Sequence, residues 1–497
     1  MPIRRLLIAN RGEIAVRVAR TAAEMGIETV AIYSDADAGA LHVSRANRAV
    51  SLGAGPPRET YLSVEKVVAA ARAARADAVH PGYGFLSENA AFARAVQESG
   101  LIWIGPDPES IEAMGDKLSA RQRAAAAGVP VVPGSAPGLS SDADLAREAS
   151  RIGFPLLVKA VGGGGGKGMS RVDNAADLPA ALAEARRLSA GAFGDDRVYL
   201  ERLLERPRHI EFQVFGDRAG HVAHLFEREC SVQRRHQKIV EETPSAALDP
   251  ALRDAMGKAA AAAARSCRYV GAGTVEFLVD ASKTFYFLEM NTRLQVEHPI
   301  TEETLGVDLV RAQIEVAQGA DLPADWREGR LSPRGHAIEM RLYAEDPDTF
   351  LPRSGRLLAY REPAGPGIRV DGGVARGSDV GLDFDPLMAK LVVRASDRRS
   401  AIERARQALS DWVVLGVETN LPLLSSVLAS EEFTSGGYDT GLVGRLPART
   451  VEEPPDAAWA AAAMALQMPS FARASADGGA GGAPDPWGDG SGWRPLA

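Results

Sequence analysis

The sequence predicts an α/β module at the N-terminus, an α+β module after it, and a third section of strands and loops. Two observations carry this. Short apolar runs alternate with helical periodicity over the first hundred or so residues, which implies a parallel sheet with helices on both faces. Further along, successive apolar runs follow one another with two-residue alternation, the mark of antiparallel pairing.

The elements follow in order. Arg4 to Ala9 reads as a strand, broken by Asn10-Arg11-Gly12. Glu13 to Met25 has helical periodicity and stops at Gly26; Ile27 to Tyr33 is the next strand. An Ala-rich helix precedes the strand Ala76 to His80. Pro81-Gly82-Tyr83-Gly84 follows that strand, where open α/β sheets place ligands. This first module is expected over residues 1–114. A helix from Lys117 to Ala127 opens the second, 115–334, and Pro130 and Pro133 mark a linker. The strand Phe154 to Ala160 runs into a glycine tract, and Arg197 to Leu200 leads to a connection at Leu203-Leu204. Strands are expected at His209 to Phe215, His221 to Phe226, Gly273 to Val279 and Thr284 to Met290. The third section, 335–447, has strand-like and loop segments through Arg361 and a helix containing Arg404 to Leu409. Residues 448–497 read as linker and tail: Glu452-Glu453-Pro454-Pro455, a short helix over Ala457 to Leu466, and a flexible Gly/Ala/Pro-rich stretch, Gly478 to Pro486.

Bulk properties narrow the function. A length of 497 residues suggests roughly three domains. A net charge of −8 argues against a nucleic-acid surface as the main role. Two cysteines, Cys230 and Cys267, are too few for a disulfide framework or a zinc cage and suit a reducing compartment. No apolar run approaches membrane-spanning length, and Met1 to Arg5 leads straight into a strand without a visible signal peptide. A cytoplasmic protein with no membrane or nucleic-acid partner is expected.

Chemistry concentrates in Glu289 to Pro299, E-M-N-T-R-L-Q-V-E-H-P. Strand alternation puts Phe285, Phe287, Glu289, Asn291 and Arg293 on one face. The polar end of that face is costly to bury unless a metal, anion or partner satisfies it. Oxygen donors suit Mg²⁺. Glu276 interrupts an otherwise apolar strand, and Glu276 and Glu289 on adjacent strands would share a cation, although an isolated strand glutamate more often faces solvent. Five glycines, Gly162 to Gly166, precede Lys167, Gly168 and Met169. Successive glycine amides form an anion-binding nest and can act as a lid; the alternative is a flexible linker. Lys159 ends the preceding strand and suits either a phosphate oxygen or solvent. His209, Glu211 and Gln213 alternate with Ile210, Phe212 and Val214, so the polar set faces solvent or a site. The segment Glu227 to Lys238 is too polar for a core strand and reads as a charged surface loop unless it belongs to that site.

Together, Asn10 to Ala15 (N-R-G-E-I-A), His80 to Asn89 (H-P-G-Y-G-F-L-S-E-N), the glycine loop, Gln233 to Lys238 (Q-R-R-H-Q-K) and Glu289 to Pro299 resemble biotin carboxylase, an ATP-grasp ligase, over about residues 2–447. Gly335 to Pro347 is similar to the α subunits of acyl-CoA carboxylases, especially the 3-methylcrotonyl-CoA type. The resemblance implies a Rossmann-like N-terminal domain, an ATP-grasp domain with a glycine-rich lid at about 131–203, and a C-terminal biotin carboxylase domain. It implies ATP, Mg²⁺ or Mn²⁺, bicarbonate and carrier-bound biotin. Lys117, Lys159 and the amides of Gly164, Gly165 and Gly166 would hold the phosphates. Glu201 and Leu203 would meet the adenine, with Met169, His209, Gln233, His236 and Leu278 lining the nucleotide. Glu276, Glu289 and Asn291 would bind the metal. Lys238, Arg293, Gln295 and the Val296 amide would hold bicarbonate, and Glu297 would take its proton. Arg341 would stabilise the biotin enolate, with Tyr83 and Gly84 near the ureido ring.

Two departures stand out. The family's Glu-Glu-Ala-Pro-Ala-Pro is Glu241-Glu242-Thr243-Pro244-Ser245-Ala246 here. The biotin-attachment motif Ala-Met-Lys-Met is absent, and no Met-Lys pair occurs anywhere. Biotin is therefore expected on a separate carrier protein or domain, with a carboxyltransferase β subunit as second partner and a homodimer or larger α/β assembly. Asp485-Pro486-Trp487 to Arg494 resembles the start of the region that follows the carboxylase domain in 3-methylcrotonyl-type α subunits, so a truncated α subunit and a stand-alone subunit are both open. Other readings are a carbon–nitrogen ligase of the same fold and a scaffold without activity.

Overall fold

The computed structural model describes residues 2–136, 139, 141–161, 169–193, 196–235, 237–448 and 456–460. Contacts group Met1–Leu446 into one unit and Pro447–Ala497 into a second. In the second, residues 456–460 are helical. Gly478 to Pro486 lies outside the described residues, as does most of the expected Ala457 to Leu466 helix.

The first unit opens with β1 (Arg5–Ile8), α1 (Gly12–Glu24), β2 (Glu28–Ser34), β3 (Arg48–Gly53), β4 (Ala78–His80) and β5 (Ile102–Trp103). They form a parallel sheet in the order β3-β2-β1-β4-β5. Gly12 at φ +64° makes the strand-to-helix turn, a conformation that L side chains resist. From there Ile14, Ala15, Val18, Ala19 and Ala22 form the buried stripe of α1. The helix ends before Gly26 at φ +71°, a common helix stop.

A helix over Lys117–Ala126 leads into a three-stranded antiparallel sheet of β6 (Leu156–Ala160), β7 (Met169–Val172) and β8 (Val198–Arg202), ordered β7-β6-β8. The main sheet then follows: β9 (Arg208–Gly216), β10 (Val222–Arg234), β11 (Gln237–Thr243), β12 (Gly271–Val279), β13 (Phe285–Asn291) and β14 (His336–Tyr343). It has eight strands in the order β13-β12-β9-β10-β11-β14, then Leu387–Ala395 and Ile368–Gly372. It therefore runs straight across the boundary expected at residue 334, because β11 pairs with β14 through Val240↔Met340 and Glu241↔Glu339.

One expectation is corrected here. The segment after Phe226 is not a surface loop: β10 continues to Arg234 and β11 returns. Glu227, Arg228, Glu229 and Ser231 are all buried. A register shift between His224 and Glu227 against β9, with Phe226 at φ +62°, breaks the simple alternation of the sequence. The charges survive burial because other elements supply their partners: Arg228 meets Glu211, Glu227 meets Arg253 at 2.8 Å and Glu229 meets Arg208 at 3.3 Å. Among the described residues no helix is long and apolar enough to cross a membrane.

Candidate active site

The site grows from three neighbouring strands. The β9–β12 register sets Glu211 opposite Glu276, and β12–β13 sets Glu276 opposite Glu289 and Thr274 opposite Asn291. Alternation thus points Glu211, Gln213, Glu276, Glu289 and Asn291 out of the sheet together, while Ile210, Phe212, Val214, Val275 and Phe277 fill the core behind.

Ion pairs and hydrogen bonds hold this polar face. Glu276 accepts from Lys238 Nζ at 2.8 Å, Asn291 Nδ2 at 2.9 Å and Gln295 Nε2 at 3.2 Å, and its second oxygen lies 2.8 Å from His209 Nε2. Gln233 Nε2 is 2.9 Å from the other ring nitrogen of His209. Lys238 also contacts Glu211, and Glu297 at 2.7 Å. Arg228, fully buried, donates to Glu211 at 2.6 Å, Gln213 at 2.8 Å, Thr301 at 3.0 Å and Thr274 at 3.1 Å. Across the cleft, Arg341 on β14 reaches Glu241 at 2.7 Å and the second oxygen of Glu297 at 3.0 Å.

Four buried carboxylates (Glu211, Glu241, Glu276, Glu297) thus face two buried cations, Arg228 and Arg341, and the half-buried Lys238. Burial raises every carboxyl, and the cations decide which ones stay charged. Glu297 is held well below the ordinary carboxylate range, because Lys238, Arg341 and Arg228 outweigh its burial. Glu276 is also held down, by Lys238 and His209 against burial. Glu241 relieves the excess negative charge by keeping its proton more readily: burial, with Glu297 nearby, pushes it up to about 7 despite Arg341.

Arg293 lies just past the end of β13. It donates to Glu88 at 2.8 Å, Asn291 at 3.0 Å and Gln295 at 3.1 Å, while Glu88 also accepts the Thr292 amide at 3.0 Å. The turn after β4 meets this region. Asn10 donates to the carbonyls of Pro81 and Tyr83, both at 2.7 Å, and Gly82, at φ +63°, has no room for a Cβ against Asn10. Tyr83, Gly84, Arg293, Val296 and Arg341 line a cavity of about 440 Å³.

The nucleotide-side expectations are distributed differently. Lys117 is 3.7 Å from Glu289. Lys159 and Glu201 pair with each other across β6 and β8, so Lys159 is no isolated strand-end charge; Arg121 also reaches Glu201 at 2.9 Å. Met169 faces Lys159 in register on β7. The Leu203 amide donates to Pro155, and Leu278 faces His209 in register. Gly164, Gly165, Gly166 and His236 lie outside the described residues.

For a divalent cation the donors are hard oxygens, as Mg²⁺ prefers. Glu276 and Glu289 oppose each other, and burial together with the charge of Glu276 raises the Glu289 carboxyl. A carboxylate pair strained by mutual repulsion is what a divalent ion relieves, so the residues fit such an ion. Sequence reading missed the supporting groups: Arg228 and Glu241 as the partners of Glu211 and Arg341, and Glu88 as the anchor of Arg293. Glu211 had one signal, its place between His209 and Gln213. Arg228 had only its place in the charged Glu227 to Lys238 segment, and Glu241 had no signal as the partner of Arg341, which is distant in sequence.

Three family models match consecutive stretches: Biotin carboxylase, N-terminal domain, at residues 2–111; Carbamoyl-phosphate synthase L chain, ATP binding domain, at 116–325; and Biotin carboxylase C-terminal domain, at 339–445. The chain is 47% identical over 436 residues to Biotin carboxylase 2 of Bacillus subtilis (strain 168), covering 88% of this chain and 98% of that one. It is 46% identical over 443 residues to the mitochondrial methylcrotonoyl-CoA carboxylase subunit alpha of Rattus norvegicus, covering 89% of this chain and 62% of that one. Among solved structures, the biotin carboxylase domain dimer of Hydrogenobacter thermophilus 2-oxoglutarate carboxylase, in complex with MgADP, ADP and bicarbonate, superposes with a TM-score of 0.86 at 43% identity, covering 89% of this chain and 98% of that one.

Proposed function

We propose a division of labour for this site from the premise that the chain belongs to the biotin carboxylase family, enzymes that carboxylate biotin with bicarbonate at the expense of ATP. Lys117, Lys159 and the Gly164–Gly166 amides hold the ATP phosphates. Met169, Glu201, Leu203, His209, Gln233, His236 and Leu278 line the rest of the nucleotide. Glu276, Glu289 and Asn291 hold Mg²⁺ or Mn²⁺, which when bound neutralises phosphate oxygens.

Bicarbonate is a weak nucleophile until it loses its proton. Lys238, Arg293, Gln295 and the Val296 amide hold it, and Glu297 takes that proton. The observation that carries this reading is the setting of Glu297: fully buried, ionised, and bracketed by Lys238 at 2.7 Å and Arg341 at 3.0 Å beside Arg293. By themselves these cations make it a weak base. An anion that takes up hydrogen bonds from Lys238 and Arg293 withdraws part of their stabilisation from Glu297, so its basicity rises as the substrate arrives. The bicarbonate oxygen then attacks the γ-phosphorus and ADP leaves. The carboxyphosphate so formed breaks down to CO₂ and phosphate. Phosphate takes the N1 proton of biotin, and Arg341, beside Tyr83 and Gly84, stabilises the enolate charge while N1 captures CO₂.

The biotin substrate arrives on a carrier protein or domain, and a carboxyltransferase subunit takes the carboxyl group onward. The decisive experiment measures ADP release by the purified chain with Mg²⁺, ATP and bicarbonate, with and without free biotin. Release that depends on bicarbonate and is stimulated by biotin is expected. Turnover indifferent to both would sink the assignment in favour of another ATP-dependent ligase, and no ATP cleavage at all would favour a scaffold.

A further inference from the structure

One buried cation beside the site has no part in these roles. Lys390, on the strand Leu387–Ala395, is fully buried. It stands directly opposite Arg341 in the sheet register. Like charges directly opposite each other on a sheet cost stability, and a buried ammonium is costly unless paired and hydrogen-bonded. The arrangement stands because each cation has its own anions. Arg341 has Glu241 and Glu297. Lys390 has Glu13 at 3.2 Å and Asp371 opposite it on the next strand.

Neutralisation is only part of what Lys390 does. Its Nζ also donates to the backbone carbonyl of Val296 at 2.8 Å. That carbonyl belongs to the peptide that joins Val296 to Glu297. Glu13, meanwhile, accepts a hydrogen bond from the Tyr83 hydroxyl through its other oxygen. The Lys390–Glu13 pair therefore touches both halves of the cavity at once: the backbone before Glu297 on one side, and the Tyr83 turn on the other.

We propose that Lys390 is a positioning residue: with Glu13 it fixes the Val296–Glu297 peptide, and so anchors Val296, whose own amide lies one peptide earlier, and sets the Glu297 carboxylate at the distance from Tyr83 that the reaction needs. This rests on the reading of residues 293–297 as the bicarbonate site. Lys390 touches no reacting atom. It acts through the peptide it holds, and a charge-assisted hydrogen bond to one carbonyl is strong enough to decide that peptide's orientation.

The test is steady-state kinetics on the full chain. Lys390→Met keeps the length of the side chain and removes the ammonium. Its bicarbonate KM is expected to rise about tenfold or more, the loss of one charge-assisted hydrogen bond, with kcat lowered and the KM for ATP unchanged. Because this variant leaves Glu13 buried without its cation, the double variant Glu13→Gln/Lys390→Met, which leaves no lone ionisable group in the pair, decides the matter should the single one fail to fold. The double variant is expected to keep the raised bicarbonate KM. Recovery of the wild-type KM in it would mean that Lys390 merely neutralises Glu13, and would overturn the proposal. A wild-type chain without bicarbonate-dependent ADP release would instead refute the bicarbonate reading itself. A responsive wild type with an unchanged KM in Lys390→Met would refute only the role of Lys390.

Discussion

Replacing Glu297 with glutamine tests the reaction at its centre. The substitution keeps the shape and one carbonyl acceptor but removes the negative charge and the capacity to take a proton. In the structure one Glu297 oxygen serves Lys238 and the other serves Arg341. Glutamine can satisfy one of these donors and turns an NH₂ toward the other. The stability cost is thus about one charge-assisted hydrogen bond, roughly 1.5–3 kcal/mol. The fold should survive this, because Lys238 keeps Glu211 and Glu276, and Arg341 keeps Glu241. Catalysis should lose far more. A positioned general base contributes about 10²- to 10⁴-fold, so bicarbonate-dependent ADP release should fall by about that factor. ATP affinity, measured by calorimetry with Mg²⁺, should stay near wild type, since Lys117 and Glu289 are unchanged. A Glu297→Gln enzyme with full bicarbonate-dependent turnover would refute the assignment of the base.

Two further outcomes follow from the same geometry. Glu289→Gln should raise the Mn²⁺ concentration needed for half-maximal activity about tenfold or more, as loss of a direct ligand does. It should not lower the melting temperature of the metal-free protein, because the Glu289 carboxyl is raised by burial and by the charge of Glu276; an unchanged Mn²⁺ requirement would remove Glu289 from the metal site. Glu242, buried between His336 at 2.7 Å, Arg398 at 2.8 Å and Tyr438 at 2.5 Å, is held down to about 2 against its burial. A depressed carboxylate stabilises the fold above its unfolded value and loses that contribution as the pH falls through the folded one. Glu242→Gln should therefore be less stable by about 3 kcal/mol at neutral pH, with the gap to wild type closing between about pH 4.5 and about pH 2. Denaturation curves with a constant gap across that window would contradict this.

The order of the modules, the parallel first sheet and most strands were legible in the sequence, because they depend on patterns within ten or twenty residues. Adjacent strands brought Glu276 and Glu289 together as expected, but alternation along β13 failed: it put Phe285 and Phe287 on the face of Glu289 and Asn291, and a bulge in the β12–β13 register turns the two phenylalanines into the core instead. The charged strand after Phe226 was not legible. Its polarity reads as surface, and only the partners that other strands supply make it core: Arg228 meets Glu211, Thr274 and Thr301. The bulge at Phe226 also shifts the alternation that a reader would follow.

Sequence alone determined the family, through ordered motifs such as N-R-G-E-I-A and H-P-G-Y-G-F-L-S-E-N, and with it the kinds of group the chemistry requires. Short motifs survive because the backbone turns, glycines and ligand atoms they supply act locally. Only the tertiary structure decided which charge answers which. Glu297 takes its ionisation from Lys238, Arg341 and Arg228, and the peptide before it takes its position from Lys390. Those partners come from β10, β11, β14 and the strand after it, separated from Glu297 by tens of residues. In a buried site the protonation of a carboxyl is the sum of burial and all nearby charges, and that sum exists only once the strands have met.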